Sequence, residues 1–202
     1  MGKLPMPSES VPRTHDFQSI GGNLALDFIN TVGNRLGSSR EYLTSVAEVT
    51  RWARLVRLIP KRRVLSITGS HLALLIVVRE ELYELFRPVA TGSQVSPTSL
   101  ERLNRRLREV SPRHQIVRGV GGFRWTWDTD ISRPEYLLGP VLLDAVDLLT
   151  SGRFAKIRQC SDEACGWLFL DRSQAGKRRW CRMADCGNRY KARRYYRRKQ
   201  AG

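Results

Sequence analysis

The chain has 202 residues, and 41% of them are hydrophobic, which is enough apolar material for a packed core. Its formal net charge is +16, an excess that favours a polyanionic or acidic partner. The longest apolar run, Leu72 to Val78, is far shorter than the roughly 20 residues of a membrane span. Residues 1–12 contain three prolines and no apolar stretch, so no secretory signal is expected and the chain is predicted to be cytoplasmic, without a membrane partner.

The N-terminal part is predicted to be a helical domain over residues 14–155, after a disordered lead-in over residues 1–13. Its first helix is expected near residues 23–32. There Asp27, Asn30 and Thr31 form a polar strip at i, i+3, i+4 spacing. The strip is a candidate ligand patch facing a cleft. The alternatives are a solvated face, or a buried network that ties this helix to its neighbours.

Apolar residues at helical spacing predict further helices in the same domain. Ser45 with Glu48 fits a capping box, Ser70 is expected to cap the next helix, and Ser96-Pro97 gives a cap followed by a first-turn proline. The predicted helices cover residues 45–59, 70–89, 96–110 and 135–151. The last has a wide apolar stripe and is therefore expected at the centre of the core.

The segment from Gln115 to Asp128 has the pattern of a β-hairpin. Phe123, Trp125 and Trp127 alternate along it, so they are expected on one face of a strand. Such aromatic side chains could stack on a base or close a pocket, but they more often seal a hairpin against helices. The overall prediction is a mainly α protein with a small β-hairpin.

The four cysteines of the chain all lie near its C-terminal end. Cys160 and Cys165 are separated by four residues, as are Cys181 and Cys186, and fifteen residues lie between the two pairs. Two close pairs joined by a loop of this length suit a tetrahedral zinc site, in which each pair supplies one edge of the tetrahedron. Four thiolates leave no open position on the metal, so one structural Zn²⁺ is predicted. The alternative is two disulfides, which a reducing cytosol disfavours.

The residues around the cysteines predict a treble-clef-like finger over residues 156–202. Gly166 would supply the positive φ of a tight knuckle after Cys165. Residues 167–170 read as a first strand, and residues 178–180 are expected to return as the second strand of a hairpin. A helix is predicted over residues 188–199, with the last cysteine in its first turn, because no proline or glycine interrupts that segment.

The finger also carries most of the charge excess. Residues 171–202 contain twelve Lys or Arg and two acids. A basic helix held by metal is a recurrent way to enter the DNA major groove. Arg189, Arg193 and Arg197 recur at i, i+4, i+8 and are predicted as the groove-facing row, although Arg189 is equally suited to a structural role inside the finger. The predicted nucleic-acid-binding residues are Arg178, Arg179, Arg189, Lys191, Arg193, Arg194, Arg197 and Arg198.

The run from Cys165 to Ser173, then Arg178 to Cys181, and finally Cys186-Gly187-Asn188-Arg189 strongly resembles the CGNR zinc finger family. Those bacterial proteins are described as transcription regulators and carry a mainly helical N-terminal domain called ABATE. Residues 24–31 are similar to the opening helix of that domain. The resemblance implies a zinc-dependent regulator.

Three functions follow from these features. The first is a regulator whose finger binds duplex DNA and whose helical domain forms a homodimer or senses a small-molecule effector. The second is an RNA- or ribosome-associated zinc protein, because the basic and tyrosine-rich helix suits single strands equally well. The third is an adaptor whose finger binds a protein. An enzyme is not expected, because His15, His71 and His114 show no metal or triad spacing and no Gly-rich phosphate loop is present.

Overall fold

A computed structural model of the chain describes residues 17–111, 114–127, 130 and 132–200. In chain order it has a short helix, two short strands, three helices, a two-stranded hairpin, a further long helix, another strand pair and a C-terminal helix, with a 3₁₀ turn at Gly152–Lys156 and a π-helical turn at Met183–Gly187. Helices dominate and the strands form small antiparallel pairs, so the predicted fold class is confirmed. The predicted lead-in over residues 1–13 lies outside the described residues. Among the helices that are described, none is both long and apolar enough to cross a membrane.

Helix α1 covers Leu24–Ile29 and is shorter than the predicted 23–32. The side chain of Asn23 caps it by accepting hydrogen bonds from the amides of the first turn. After the helix ends, the chain extends as β1 (Val32–Gly33), which pairs with β2 (Arg40–Glu41). The buried face of α1 packs against two later helices, α3 (Gly69–Thr91) and α5 (Glu135–Thr150), so this short helix lies inside the fold.

Helix α2 covers Val46–Leu55 and also ends earlier than predicted. The Ser45 side chain accepts a hydrogen bond from the Glu48 amide, as the capping prediction requires. The early end has a local cause: Arg57 adopts a φ of 61°, in the left-handed region that stops a helix.

Helix α3, Gly69–Thr91, is the longest element of the described chain. Its cap is Thr68, and the prediction of Ser70 was wrong by two residues. The Thr68 hydroxyl accepts from the His71 amide, and the His71 ring accepts from the Thr68 amide. This reciprocal pair satisfies two free amides at the helix start and gives His71 a structural role.

Helices α4 (Pro97–Val110) and α5 (Glu135–Thr150) complete the helical domain. Both follow the predicted ranges closely. Arg102 and Arg106 of α4 form ion pairs with Glu84 and Glu81 of α3. Helix α5 lies at the centre of the core as predicted, and its buried apolar residues are Leu137, Leu138, Val141, Leu142, Ala145 and Leu148.

The predicted hairpin forms from β3 (His114–Gly119) and β4 (Gly122–Trp127), paired in antiparallel register. Phe123 does not seal this hairpin against helices as predicted, because it is 79% exposed. It pairs across the strands with Arg118, next to the Gly119–Gly122 pair that closes the hairpin. The side chains of Trp125 and Trp127 lie outside the described set.

The finger contains a different strand pair from the one predicted. Strand β6 (Leu168–Leu170) pairs with β5 (Ile157–Gln159), which precedes the first cysteine. Residues 178–180 do not return as a strand: the Arg178 amide donates to a side-chain oxygen of Asp171 instead, at 3.0 Å. Ile157 is fully buried, and this burial drives the pairing that the prediction missed.

The finger shares the core of the helical domain. Ile157, Leu168 and Leu170 lie in the same apolar cluster as the buried residues of α1, α3 and α5. Backbone contacts join the parts as well, because the Leu170 amide donates to the Gly21 carbonyl at 2.7 Å. The indole Nε1 of Trp167 donates to the Val32 carbonyl at 2.6 Å. The finger is therefore held on the helices, as the lack of a flexible linker predicted.

Candidate metal centre and basic helix

The four cysteine sulfurs converge at one point. Their Sγ atoms all lie within 4.8 Å of one another, all four side chains are buried, and none is in a disulfide. The distance is 3.7 Å between the sulfurs of Cys165 and Cys181, and 3.5 Å between those of Cys181 and Cys186. A tetrahedral site with Zn–S bonds of about 2.3 Å places its sulfurs about 3.8 Å apart. The cysteines therefore fit one structural zinc ion.

The ionisation of the cluster supports the same assignment. Contact with the Cys165 sulfur, and then with the other two, lowers the pKa of the Cys160 thiol well below its ordinary value. Contact with Cys160 raises the pKa of Cys165 and Cys181 far above theirs. Four thiols this close cannot all ionise unless a cation sits among them, and zinc binds the thiolate form.

The loop that carries Cys160 and Cys165 is a tight knuckle. Gly166 has a φ of 69°, as the sequence predicted. A Cβ atom at this position would also lie 2.9 Å from the Cβ of Arg35, so the knuckle docks closely on the helical domain. The Cys181 amide donates to the Cys160 sulfur at 3.4 Å, a contact that orients and stabilises a metal-bound thiolate.

Cys186 lies in a short turn of π-helix, Met183–Gly187, that leads directly into α6 (Asn188–Gln200). The last cysteine therefore lies two residues before the start of the basic helix, and not in its first turn as predicted. Nevertheless, Arg189 in the first turn of α6 donates to the Cys186 sulfur at 3.1 Å. This contact links the metal centre directly to the helix.

One row of α6 arginines contacts the first knuckle. Arg189 pairs with Asp162 at 3.2 Å, and Arg193 lies 3.7 Å from the same carboxylate. Arg197 pairs with Glu163 at 3.3 Å. This is the row predicted to face a DNA groove. In the structure it faces acids of its own finger, and the Asp162 side chain is fully buried.

The rest of the α6 surface carries Lys191, Arg194 and Arg198, of which Arg194 and Arg198 border the row that contacts the knuckle. All three side chains are exposed. Within the described part of the chain, none of them has a salt bridge. These three residues form the outward row of α6. Since their charges are not neutralised by the finger, they remain available to a partner.

Arg178 and Arg179 lie where the chain returns to the second cysteine pair. Arg178 is used internally: its Nε donates to the Trp180 carbonyl at 3.0 Å, and its guanidinium lies 4.2 Å from the centre of the Phe169 ring. Arg179 is exposed and stacks over Trp180, with 5.0 Å between the guanidinium and the ring centre. Trp180 in turn contacts Tyr190 of α6, with ring centres 4.8 Å apart, and so braces the helix.

The polar strip of α1 is occupied by contacts within the protein. Asp27 accepts from the Ser19 hydroxyl and the Gly21 amide, and burial raises its pKa above the ordinary value. Asn30 bonds the backbone of Leu168 in β6. Thr31 donates to the Phe28 carbonyl. These contacts match the alternative of a buried network, and they lend no support to a ligand patch at Asp27, Asn30 and Thr31.

A buried arginine of α3 was not anticipated from the sequence. Arg79 is 2% exposed and forms two bonds of 2.6 Å with Glu41, so it ties α3 to β2. It also bonds Glu80 at 2.7 Å and Thr31 at 3.2 Å. The one signal in the sequence was a charged residue directly after the longest apolar run, where the helical stripe requires burial.

The fold and the cysteine site define the class of protein, and comparison with known families identifies the family. A helical domain followed by a closed four-cysteine site is the organisation of a zinc-finger protein. Residues 22–152 match the family model ABATE, described as "Putative stress-induced transcription regulator", and residues 156–199 match the CGNR zinc finger model. The chain belongs to the ABATE family and carries a CGNR zinc finger, so the resemblance is confirmed. Neither family is described as enzymatic, and no curated protein matches the chain.

Proposed function

We propose that the protein is a zinc-dependent DNA-binding transcription regulator in which α6 contacts the duplex. The observation that carries this proposal is the character of that helix. It has seven Lys or Arg residues, no acid and no buried side chain. A helix with nothing to bury gains little from the core, and its surface is suited to a polyanion.

One row of α6 residues positions the helix on the finger, and the outward row contacts DNA. Arg189, Arg193 and Arg197 hold the helix against the knuckle, so zinc binding fixes its direction. The outward row of Lys191, Arg194 and Arg198 is proposed to contact DNA phosphates, with Arg179 beside it. Thirteen residues of helix span about 20 Å, a length that fits within the major groove.

The helical domain is proposed to act as the sensing or dimerising part of the regulator. Many DNA-binding regulators form symmetric dimers, and the exposed hairpin β3–β4 and the surfaces of α3 and α4 are available for such contacts. A cytoplasmic location would suit this role, because four thiolates must stay reduced to hold zinc.

A salt titration tests the DNA proposal. Binding of the zinc-loaded full chain to a random-sequence duplex is measured by fluorescence anisotropy at several salt concentrations, with and without a chelator. We expect a steep decrease of log affinity with log salt, and a loss of binding after zinc removal that added zinc reverses. Binding that is indifferent to zinc would contradict the proposal.

A second candidate is binding to single-stranded RNA, and one observation favours it. Tyr195 and Tyr196 on α6 are 63% and 62% exposed, and such rings can stack on unpaired bases. Competition between duplex DNA and single-stranded RNA for the same protein separates the two candidates. Preference for RNA, lost on changing both tyrosines to alanine, would support the second.

A further inference from the structure

A groove runs along α6 beside the first zinc knuckle. Its volume is about 310 Å³, at the lower end of the range of small-ligand sites. Tyr190 lines it together with four arginines and one carboxylate, which are Arg193, Arg194, Arg197, Arg198 and Glu163. The groove therefore combines a large excess of positive charge with a single acid, and that acid belongs to the knuckle and not to the helix.

The two acids of the knuckle hold the helix in different ways. Asp162 is fully buried, and its side chain pairs with Arg189 at 3.2 Å and accepts from the Ala164 amide at 3.1 Å. Because breaking a pair with a buried charge is strongly destabilising, this contact is structural. Glu163 is 68% exposed, and its partner Arg197 is 69% exposed. Exposed pairs of this kind contribute little to stability.

The contacts of the Glu163 side chain are weak as well as exposed. Arg197 donates a hydrogen bond to it at 3.3 Å, and a guanidinium nitrogen of Arg193 lies 3.9 Å from its other oxygen. A guanidinium can bind two oxygens of one phosphate side by side, at shorter distances. Asp162 fixes the backbone of this turn by accepting from the two amides that follow Glu163. The Glu163 carboxylate can therefore leave the groove by rotation of its side chain alone.

We propose that the groove is a phosphate subsite and that Glu163 occupies it as an internal substitute for the phosphate. When the chain binds duplex DNA, one backbone phosphate displaces the Glu163 carboxylate from Arg197. Arg194 and Arg198, which also line the groove, then complete a set of three guanidinium groups around that phosphate. The buried Asp162 pair stays intact, so the helix keeps its direction. This inference rests on the proposed DNA binding by α6, and it adds a residue of the finger that opposes that binding.

A second exposed acid of the finger provides a matched comparison. Asp185 is 48% exposed and pairs with Arg182 at 3.6 Å, and neither residue belongs to α6 or lines the groove. Removing the charge of Asp185 or of Glu163 raises the net charge of the finger by the same amount. Since only Glu163 competes with a bound phosphate, only its removal frees a guanidinium group for the ligand.

The test compares Glu163→Gln with Asp185→Asn in the zinc-loaded full chain. Affinity for inorganic tripolyphosphate is measured by isothermal titration calorimetry without nucleic acid, and affinity for a random-sequence duplex by fluorescence anisotropy at low salt. We expect Glu163→Gln to bind both ligands about three- to fivefold more tightly than Asp185→Asn, which is the scale of one exposed ion pair. Zinc content and thermal unfolding should match the wild type in both variants, because the buried Asp162 pair is retained.

A double-mutant cycle assigns the gain in affinity to the groove. The effect of Glu163→Gln should disappear in an Arg197→Ala background and persist in a Lys191→Ala background, since Lys191 lies on α6 but does not line the groove. The proposal is overturned if Glu163→Gln binds no more tightly than Asp185→Asn, or if the gain survives Arg197→Ala. Loss of zinc from Glu163→Gln would also overturn it, because Glu163 would then be a structural part of the finger.

The subsite and the DNA proposal can fail separately. If the duplex binds but Glu163→Gln and Asp185→Asn have equal affinities, the subsite is overturned and the DNA proposal stands. If Glu163→Gln binds tripolyphosphate more tightly than Asp185→Asn but no variant binds the duplex, the phosphate subsite is supported and the DNA proposal is overturned.

Discussion

Asn30 and Leu168 are joined by a pair of reciprocal hydrogen bonds. The Asn30 side-chain amide donates to the Leu168 carbonyl at 2.7 Å, and its side-chain oxygen accepts from the Leu168 amide at 3.0 Å. The two residues lie 138 positions apart in the chain. The side chain at the end of α1 thus completes the edge of strand β6, and both residues are buried.

Replacing this side chain is predicted to destabilise the whole protein. Asn30→Ala leaves a buried amide and a buried carbonyl of β6 unpaired, and we expect the free energy of unfolding to decrease by about 2–4 kcal/mol. Urea unfolding followed by circular dichroism measures the change. Asn104→Ala, at an exposed position of α4, is the control and should change the free energy by less than about 0.5 kcal/mol. Equal effects of the two variants would refute the role of Asn30.

Zinc is predicted to bind with one ion per chain and to be required for the order of the finger. Elemental analysis of the purified chain should give one equivalent, and Cys181→Ser should reduce this markedly because a closed site needs all four thiolates. Removing the metal should alter the near-ultraviolet circular dichroism of Trp167 and Trp180, which lie beside the cysteines. Re-addition of zinc should restore it. A chain that retains this signal without metal would contradict the assignment.

Arg189 is predicted to stabilise the finger and not merely to add charge. It bonds both the buried Asp162 carboxylate and the Cys186 sulfur. Arg189→Lys keeps the charge but cannot make both contacts, so we expect faster zinc loss to a competing chelator. Arg198→Lys on the exposed side is the matched control and should release zinc at the wild-type rate. If the two variants behave alike, the contact with the metal centre is not significant.

The outward row of α6 is predicted to dominate nucleic-acid affinity. Changing Lys191, Arg194 and Arg198 to alanine should weaken DNA binding at low salt. It should also lower the slope of log affinity against log salt by about 0.9 for each phosphate that the row no longer neutralises. Thermal unfolding should be unchanged, because none of the three side chains is buried or paired within the described chain. The triple variant Lys61, Arg62 and Arg63 to alanine is the charge-matched control, because these three residues are also exposed and without a salt bridge among the described residues, and its slope should stay at the wild-type value.

Acid is predicted to weaken the link between α3 and β2. Burial disfavours ionisation of Glu41 and Glu80, but hydrogen bonds from Arg79 and Arg35 outweigh it and lower the pKa of both carboxyls below the ordinary 4.5. Groups with a lowered pKa in the folded state contribute stability above their ordinary pKa, and this stability is lost as the pH falls through the folded value. Both carboxylates are partly exposed, which limits the size of the effect.

The free energy of unfolding, measured between neutral and acidic pH, tests the contribution of Glu41 and Glu80 to stability. The wild-type free energy should be nearly flat near neutrality and fall below the ordinary glutamate pKa. Glu41→Gln should flatten part of that fall, whereas Glu101→Gln at an exposed position of α4 should not. A decrease that is identical in all three proteins would assign the acid sensitivity to other groups.

The sequence was sufficient for features that depend on short-range spacing. The zinc ligands followed from two cysteine pairs, the Gly166 turn from the need for a positive φ, and the central position of α5 from its apolar stripe. Helix ends were less accurate. Helix α1 gives way to β1, which pairs with residues of β2 that the helical pattern does not include. Helix α2 stops early because Arg57 takes a left-handed φ, and no glycine at that position signals it in the sequence.

Two features of the finger could not be predicted from short-range spacing in the sequence. The pairing of β5 with β6 depends on the burial of Ile157 against the helical domain, and the local pattern of three residues does not reveal it. The choice between the two basic rows of α6 depends on which row meets Asp162 and Glu163. Because both rows are cationic, helical periodicity alone does not distinguish them. The adjacent acids in the knuckle were the available signal.

The shared core has a consequence for how such fingers evolve and how they can be engineered. Ile157, Leu168 and Leu170 are covered by α1 and α3. The finger therefore cannot be excised as an independent domain without exposing an apolar surface. Grafting it onto another scaffold would require the supporting helices to travel with it. Conversely, α6 contributes nothing to that core, so those of its surface residues that do not contact the knuckle can drift towards new targets while the rest of the chain stays constant.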